Sequence, residues 1–357
     1  MAKAASETKT EYAGPRFNSF GLFYINLLIM SLIRLKVVLE ILRFLFIFIS
    51  YTIDLFCKLL YRLVKKDNFP LNRSSKTMIY VLYNPQAGNN QGFEKAKNLE
   101  TLYKDQELEF LNIAEITDYN SFFRDKINCD DSLIIAGGDG TLNRFINETE
   151  SLTYPCTILY YPVGSGNDFA RDVEKEMPFP VNEYIENLPI VEVKGKKYRF
   201  INGVGYGIDG YCCEVGDSLR GKSEKPINYT AIAIKGLLFH YKPTKATITV
   251  DGVKHSYEKV WLAPTMHGRF YGGGMIPTPG QKREDNDKLS VMVMYGKGKI
   301  KTLMVFPSIF KGDHVKHREM VEVLSGKEIK VEFDKPTALQ IDGETILGVT
   351  SYRATVA

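Results

Sequence analysis

From Phe20 to Val64 apolar side chains follow one another almost without a break, and the charges that interrupt them are patterned. At the ~100° advance per residue of an α-helix, Lys36, Glu40, Arg43, Asp54, Lys58, Arg62 and Lys65 share one narrow sector with Ile47, and Arg34 falls outside it. No uncharged stretch there reaches the ~18 residues of a spanning helix. A narrow charged stripe beside a broad Leu, Ile and Phe face predicts an amphipathic, membrane-associated helical segment over 19–66, lying in the interface or re-entering it. A tilted span that snorkels its charges and a helix packed on a soluble core are the alternatives. The segment starts late, runs long and lacks a small-residue cleavage site, so it does not read as a secretory signal. Residues 1–18 are expected to form a disordered tail, and 67–76 a linker.

Beyond the linker the period changes. Four short β-rich runs, "MIYVLYNPQAG", "EFLNIAEITD", "SLIIAGGDG" and "CTILYYPVGSG", alternate with helical patterns such as Gly92 to Tyr103 and Tyr119 to Ile127. Strands alternating with helices predict a doubly wound parallel α/β domain over 77–188, which binds ligands beyond the C-terminal strand ends. Three of the runs end there in glycine-bearing loops. From 189 to 357 the chain turns to short strands and hairpins. "TKATITVDGVKHSYEKVWLAP" alternates apolar and polar residues across Asp251-Gly252, a strong hairpin signal. This half is expected to be a mostly antiparallel β-sandwich or barrel with one apolar helix near Ile227 to Tyr241, a return of the C-terminal strand to the first domain being left open.

Length and charge sharpen this picture. The 357 residues suffice for two globular units, and the formal charge of +4 is local: residues 1–66 hold ten Lys/Arg against four Asp/Glu. The rest is near neutral, without the basic stripe of a nucleic-acid binder. The five cysteines, Cys57, Cys129, Cys156, Cys212 and Cys213, form no C-x-x-C pair, which reads as a reducing, cytosolic setting. His314 and His317 lack nearby carboxylates or thiols and read as an ordinary polar helix.

The loops carry the candidate chemistry. Gly137-Gly138 allows a sharp turn and brings N–H groups close to a ligand, and Thr141 then opens a helix whose dipole favours anions. A carboxylate repels a bare phosphate, so Asp139 suits Mg²⁺, which bridges phosphate oxygens, or the proton of an attacking hydroxyl. As a turn residue it is also ordinary, and Asp168 alone is explained by helix capping. Neither G-x-x-x-x-G-K-[ST] nor a G-x-G-x-x-G after the first strand occurs, which argues against a P-loop nucleotidase and a dinucleotide-binding dehydrogenase.

As a set, N-P-x-x-G at Asn84–Gly88, G-G-D-G-T-L-N at Gly137–Asn143 and G-S-G-N-D-F-A-R at Gly164–Arg171 resemble the catalytic domain shared by diacylglycerol kinases, sphingosine kinases and their soluble bacterial relatives. "INGVGYGIDG", "YGGGMIPTP" and "IDGET" extend the resemblance over roughly 77–357. The resemblance implies an ATP site lined by Asn84, Pro85, Gln86, Ala87, Gly88, Thr117, Gly137, Gly138, Asp139, Gly140, Thr141, Asn143, Gly164, Ser165, Gly166 and Asn167. It implies Mg²⁺ ligands at Asp139 and Asp168, with Asp209 joining from the second domain, and a structural Mg²⁺ matched loosely by Asp285 and Asp287. Asp139 would be catalytic, and the Asp342-Gly343-Glu344 turn would supply the base, either carboxylate being eligible. Arg144 and Glu148 stand where the family has Glu and Gly, and Asn89 and Asn90 replace a frequent lysine, which implies less charge compensation for the phosphates.

The expected function is an ATP- and Mg²⁺-dependent lipid kinase acting on a diacylglycerol or sphingoid-type hydroxyl. It would sit on the cytoplasmic side of a membrane, peripheral or monotopic, attached through residues 19–66. No nucleic-acid partner is expected, and oligomer formation is left open. A soluble-substrate kinase of NAD-kinase type, which shares the G-G-D-G-T turn, and a non-catalytic membrane-bound nucleotide sensor are the alternatives.

Overall fold

In a computed structural model the chain divides into two compact units, Met1–Ser75 and Lys76–Ala357. The structure describes residues 77–219, 229–284 and 287–357, together with Lys36. The expected tail, membrane segment and linker therefore lie outside the described residues, apart from Lys36. Among the described residues no helix is long and apolar enough to cross a membrane.

The second unit is built on two sheets. The first contains β1 (Met78–Tyr83), β2 (Glu107–Asn112), β3 (Ser132–Gly137), β4 (Thr157–Pro162) and the short β5 (Phe179–Pro180), in the order β2-β1-β3-β4-β5. β1 to β4 are mutually parallel and β5 runs antiparallel to β4. Val81, Leu82, Ile134 and Ile135 are fully buried at the sheet centre, as expected for strands covered on both faces. Helices fill the crossovers: α1 (Gly92–Ala96), α2 (Leu99–Leu102), α3 (Tyr119–Lys126), α4 (Asp139–Glu148) and α5 (Asp168–Val173). The single helix expected from Gly92 to Tyr103 is thus interrupted, and backbone bonds from Asn98 N to Lys95 O (3.2 Å) and Glu100 N to Lys97 O (3.0 Å) tighten the chain there. α3 is capped by Asp118, whose Oδ1 accepts from Asn120 N and Ser121 N.

The strand order reverses between β1 and β3. In an open parallel sheet that reversal opens a crevice at the carboxyl ends, and the Asn84 and Gly137 turns leave the sheet on its two sides.

After helix α6 (Asn182–Glu186) the second sheet begins, with β6 (Ile190–Val193), β7 (Lys196–Arg199) and β8 (Gly203–Tyr206). Helices α7 (Ile208–Leu219) and α8 (Tyr229–Lys235) follow, then β9 (Thr244–Val250), β10 (Val253–Val260), β11 (Thr265–Met266), β12 (Leu289–Met294), helix α9 (Lys299–Val305), β13 (Val321–Gly326), β14 (Glu328–Ile341) and β15 (Glu344–Thr355). Its main path is β13-β12-β11-β8-β14-β15-β6-β7, and its strand pairings are antiparallel. The expected hairpin turns at Asp251 (φ 48°) and Gly252 (φ 85°), both left-handed, as a two-residue turn between twisted strands requires.

β14 serves two halves of this sheet. Its first part, Ile329 to Phe333, pairs with β9, and its end, Leu339 to Ile341, pairs with β8. Register shifts between Glu332 and Leu339, around Pro336, bend the strand between these pairings. The fold closes on a core that includes Tyr206, Ile248, Val291, Phe333 and Tyr352. Tyr206 stacks on Phe333 with ring centroids 4.1 Å apart. This bend places the β14–β15 turn, Asp342-Gly343, against the first sheet's loops.

Candidate active site

The turn after β1 is held from both sides of the crevice. Asn84 N donates to Ala136 O at 3.0 Å, and its side-chain Nδ2 donates to Thr141 Oγ1 at 2.8 Å. Its Oδ1 accepts from Gln86 N at 3.0 Å, closing the turn over Pro85. Gly88, Asn89 and Asn90 then run left-handed with φ of 57°, 63° and 64°. A Cβ at Gly88 would strike Val163 O and Lys95 Nζ, so glycine is needed for space as well as conformation.

The other turns press on it. Val163 N donates to Gly137 O at 2.9 Å, and a Cβ on Gly164 would lie only 2.5 Å from Gly138 Cα. Backbone therefore meets backbone where the β3 and β4 turns cross. Asn167, left-handed with φ 53°, closes the second turn through Nδ2 to Gly164 O at 2.9 Å, and its buried Oδ1 has no donor. Ser165 is exposed at the tip, and Thr117 is exposed in the segment after β2, the edge strand beside β1.

Asp139 opens α4 but spends its carboxylate on α5. Its Oδ2 accepts from Asp168 N at 2.8 Å and its Oδ1 from Phe169 N at 2.9 Å. It thus satisfies two of the orphan N–H groups at that helix start and fixes the β3 turn to the β4 turn. Asp168 itself is buried. Its Oδ2 accepts from Gly273 N at 2.7 Å and its Oδ1 from Arg171 Nη1 at 3.2 Å. Burial, and then the negative charge of Asp139, push its pKa up to about 6. Gly273 belongs to the Tyr271–Met275 turn of the second sheet's half, so one carboxylate joins the two sheets' loops.

Asp342 is a second such joint. Its carboxylate accepts from Ile201 N (2.5 Å), Asn202 N (2.8 Å), Gly203 N (3.0 Å) and Asn143 Nδ2 (2.8 Å). Burial pushes its pKa up to about 6, against these donors, all of which favour the ionised form. Asn143, an expected ATP contact, is itself buried, and its Nδ2 also reaches Arg199 O at 2.9 Å. Glu344, by contrast, is exposed, and its Oε1 stands 3.5 Å from where a Cβ on Gly140 would point. Among the described residues its carboxylate makes no hydrogen bond, and Arg144 is the cation whose charge it meets.

Asp209 is placed elsewhere. It lies at the start of α7 beside Gly205 and Gln340, and no hydrogen bond or ion pair among the described residues connects it with Asp139 or Asp168. Both its oxygens are buried, with Gly210 N, Gln340 and Tyr271 Oη as neighbouring donors in poor hydrogen-bonding geometry, and burial pushes its pKa up to about 6 against them. Gln340 Oε1 accepts from Gly343 N at 2.7 Å, which ties this corner to the Glu344 turn. Asp287 is exposed, and Asp285 lies outside the described residues.

Three features escaped the sequence reading. Lys95 on α1 turns back to the Gly88 turn, with Nζ 3.5 Å from Val163 O, and so restores a cation where Asn89 and Asn90 had implied its loss. Arg144 and Glu148 pair with each other at 2.7 Å on α4, and the Arg144 guanidinium also feels the charge of Glu344. Asp172, next to the conspicuous D-F-A-R run, forms a buried ion pair with Arg283 at 2.8 Å and another with Arg269 at 2.8 Å. Arg283 continues to Ile201 O and Asn202 Oδ1, the loop that also donates to Asp342. Only the Arg283–Asp172 distance in three dimensions reveals this clip, since 111 residues separate the partners.

Among the described residues no cluster of three or more His, Cys, Asp or Glu could hold a metal ion. Mg²⁺ seldom needs one, because it takes most of its ligands from phosphates and water and adds one or two carboxylates. Asp139 Oδ2 and Asp168 Oδ2 lie 3.7 Å and 3.6 Å from a common point over Gly166, and each ionised oxygen keeps a lone pair beyond its N–H bond. This pair suits a phosphate-bound Mg²⁺ and does not make a protein-only cage.

Comparison with known proteins agrees with the architecture. The diacylglycerol kinase catalytic domain family matches residues 78–193, and the YegS C-terminal NAD kinase beta sandwich-like domain matches residues 202–357. A protein named diacylglycerol kinase from Mycobacterium tuberculosis is 26% identical over 212 residues, 57% of this chain and 67% of that protein. Its namesake from Bacillus subtilis is 25% identical over 223 residues, 60% of this chain and 71% of that protein. A crystal structure from Bacillus anthracis shares the fold with a TM-score of 0.54 at 19% identity, covering 80% of this chain and 94% of that one. With both halves matched in order and the glycine turns gathered at the sheet's reversal, the chain belongs to the bacterial diacylglycerol-kinase-like catalytic-domain family, whose catalytic domain is that of a lipid kinase.

Proposed function

We propose that this chain transfers the γ-phosphoryl group of ATP to the hydroxyl of a diacylglycerol or sphingoid-type lipid, with Glu344 as the general base. The observation that carries this is the placement of a free carboxylate, Glu344, over Gly140 of the β3 turn, while its neighbour Asp342 is saturated by four donors. A carboxylate whose lone pairs are all engaged by backbone and amide donors positions backbone. An exposed one without hydrogen bonds can accept a proton.

The triphosphate would lie along the Asn84–Gly88, Gly137–Thr141 and Gly164–Asn167 turns, where close-packed glycine backbone and the start of α4 offer N–H groups. Lys95 would balance phosphate charge. The hydroxyl oxygen of the lipid bonds to the γ-phosphorus, its proton passes to Glu344, and the bond to the β,γ-bridging oxygen breaks to release ADP. Asp139 and Asp168 would hold Mg²⁺, which would offset the charge of the phosphates. The chain's main contribution is positioning, for which the Asp139, Asp342 and Asp172 clips fix the loops.

We assign Asp209, a buried carboxylate whose neighbouring donors meet it in poor geometry, to the polar head of the acceptor instead of the metal. Residues 19–66 would hold the enzyme at the cytoplasmic face of a membrane, as their charged stripe suggests. The test is incubation with γ-labelled ATP and vesicles containing diacylglycerol or a sphingoid base, with NAD in parallel. Label is expected in lipid, and Glu344→Gln should lose at least ~100-fold in kcat with ATP binding retained. Label on NAD alone, or an undiminished Glu344→Gln, would reject the assignment.

A further inference from the structure

One face of the second sheet's half takes no part in the chemistry above. Helix α8 runs into a π-helical turn, Gly236–His240, closed by Tyr241 N donating to Gly236 O at 2.8 Å. Helix α9 lies alongside, and Lys299 Nζ donates to Leu238 O at 2.7 Å. The inner sides of these helices are already committed: Gly236 packs on Ile208 and Tyr211, and Thr302 and Val305 are buried.

Their outer sides are unusual for a surface. Phe239 is 70% exposed, Ile300 74% and Met304 68%, and the last two stand one helical turn apart on the same face. Single exposed apolar residues are common, but large ones grouped on two packed helices mark an interaction surface. The charge of these two segments has one sign, with Lys301 paired outside them to Glu319 at 3.5 Å. Residues 229–243 and 296–312 contain Lys235, Lys242, Lys297, Lys299, Lys301 and Lys311 and not one Asp or Glu. Apolar tips ringed by lysine match a surface that is negative outside and hydrocarbon within.

We propose that this face docks on an anionic bilayer, with Phe239, Ile300 and Met304 entering the acyl boundary and the flanking lysines meeting lipid phosphates. It gives the chain a second membrane contact, distinct from residues 19–66, that would orient the second sheet's half toward its substrate. The purpose of the contact rests on the lipid-kinase reading, but its detection does not.

The experiment uses the full chain. Trp261 is the only tryptophan and is buried, so Ile300→Trp adds one exposed emitter. Leu102→Trp, at an exposed position on α2, is the control with the same N-terminal segment. On phosphatidylglycerol vesicles with brominated acyl chains, Ile300→Trp emission should be quenched and Leu102→Trp emission should not. Exchanging phosphatidylglycerol for phosphatidylcholine, or Lys235 and Lys311 for glutamate, should weaken the quenching, by ~5-fold in apparent affinity per lysine. Equal quenching at both positions, quenching at neither, or no dependence on anionic lipid overturns the proposal, as would protection of Ile300→Trp by an acidic protein but not by vesicles. Quenching in a preparation that phosphorylates no lipid would keep the docking face and reject the lipid-kinase reading. The reverse pattern would do the opposite.

Discussion

Replacing Asp139 with alanine removes the acceptors of two backbone donors, Asp168 N at 2.8 Å and Phe169 N at 2.9 Å. Both sit in the first turn of α5. A hydrogen bond to a charged group contributes ~1.5–3 kcal/mol, and loss of an N-cap typically costs ~1 kcal/mol. Against this, removal of the Asp139 charge relieves Asp168 and Asp342, whose pKa values it helps to raise. The net expectation is ~2–3 kcal/mol of destabilisation, or ~3–5 °C in Tm for a unit of this size. Asp139→Asn keeps one acceptor and turns an N–H toward the other donor, so it should recover less than half of the loss. Thermal unfolding followed by circular dichroism, with ADP release measured on the same samples below Tm, checks both effects. If Asp139→Asn left Tm within ~1 °C of the wild type and abolished turnover, Asp139 would be a metal or proton ligand only, and its capping role would be wrong.

Other residues give independent expectations. Asp172→Ala strands two guanidiniums, one of them buried, and should cost ~3–5 kcal/mol in urea unfolding; a loss below ~1 kcal/mol would show the clip to be unimportant. Asp209 titrates near 6 in the fold against 3.8 unfolded, so the native state holds the extra proton between those values and stability falls as pH rises from about 4 to about 6. Asp168 and Asp342, also raised to about 6, add to that slope, so Asp209→Asn should remove its own share, ~3 kcal/mol, and be the more stable form at pH 8, whereas a parallel profile would mean that the carboxylate is solvated. Lys95→Met should raise the KM for ATP by ~10- to 100-fold with little change in Tm, and an unchanged KM would remove Lys95 from the phosphate site.

Local signals reached far along this chain. The four apolar runs ending in turn residues gave β1 to β4, and Asp251-Gly252 gave its hairpin, because turn chemistry and periodicity act within a few residues. The glycine turns were legible as a set, since only backbone without Cβ can cross as Gly138 and Gly164 do. What each carboxylate does was not legible. Asp139, Asp168 and Asp342 look alike in sequence, yet apart from Arg171 beside Asp168 their partners lie 29 to 30, 105 and 139 to 199 residues away, and tertiary pairing separates an anchored carboxylate from a free one. Helix α7 was also missed. Its glycines and paired cysteines carry little helical signal, and its position is set by Ala338 O packing against Gly210. Lys95 illustrates the converse, a charge lost from one loop position and restored from a helix that the sequence had described only by its apolar face.

The account depends on the turns after β1, β3 and β4 gathering around one triphosphate, with Glu344 facing its outer end. A crystal structure with Mg²⁺ and a non-hydrolysable ATP analogue tests this most directly. The γ-phosphate should rest against the Gly138–Gly140 backbone within reach of Lys95, with Glu344 on its open side and the metal beside Asp139 and Asp168. An analogue bound away from these turns, or a metal held by Asp209 instead, would contradict it.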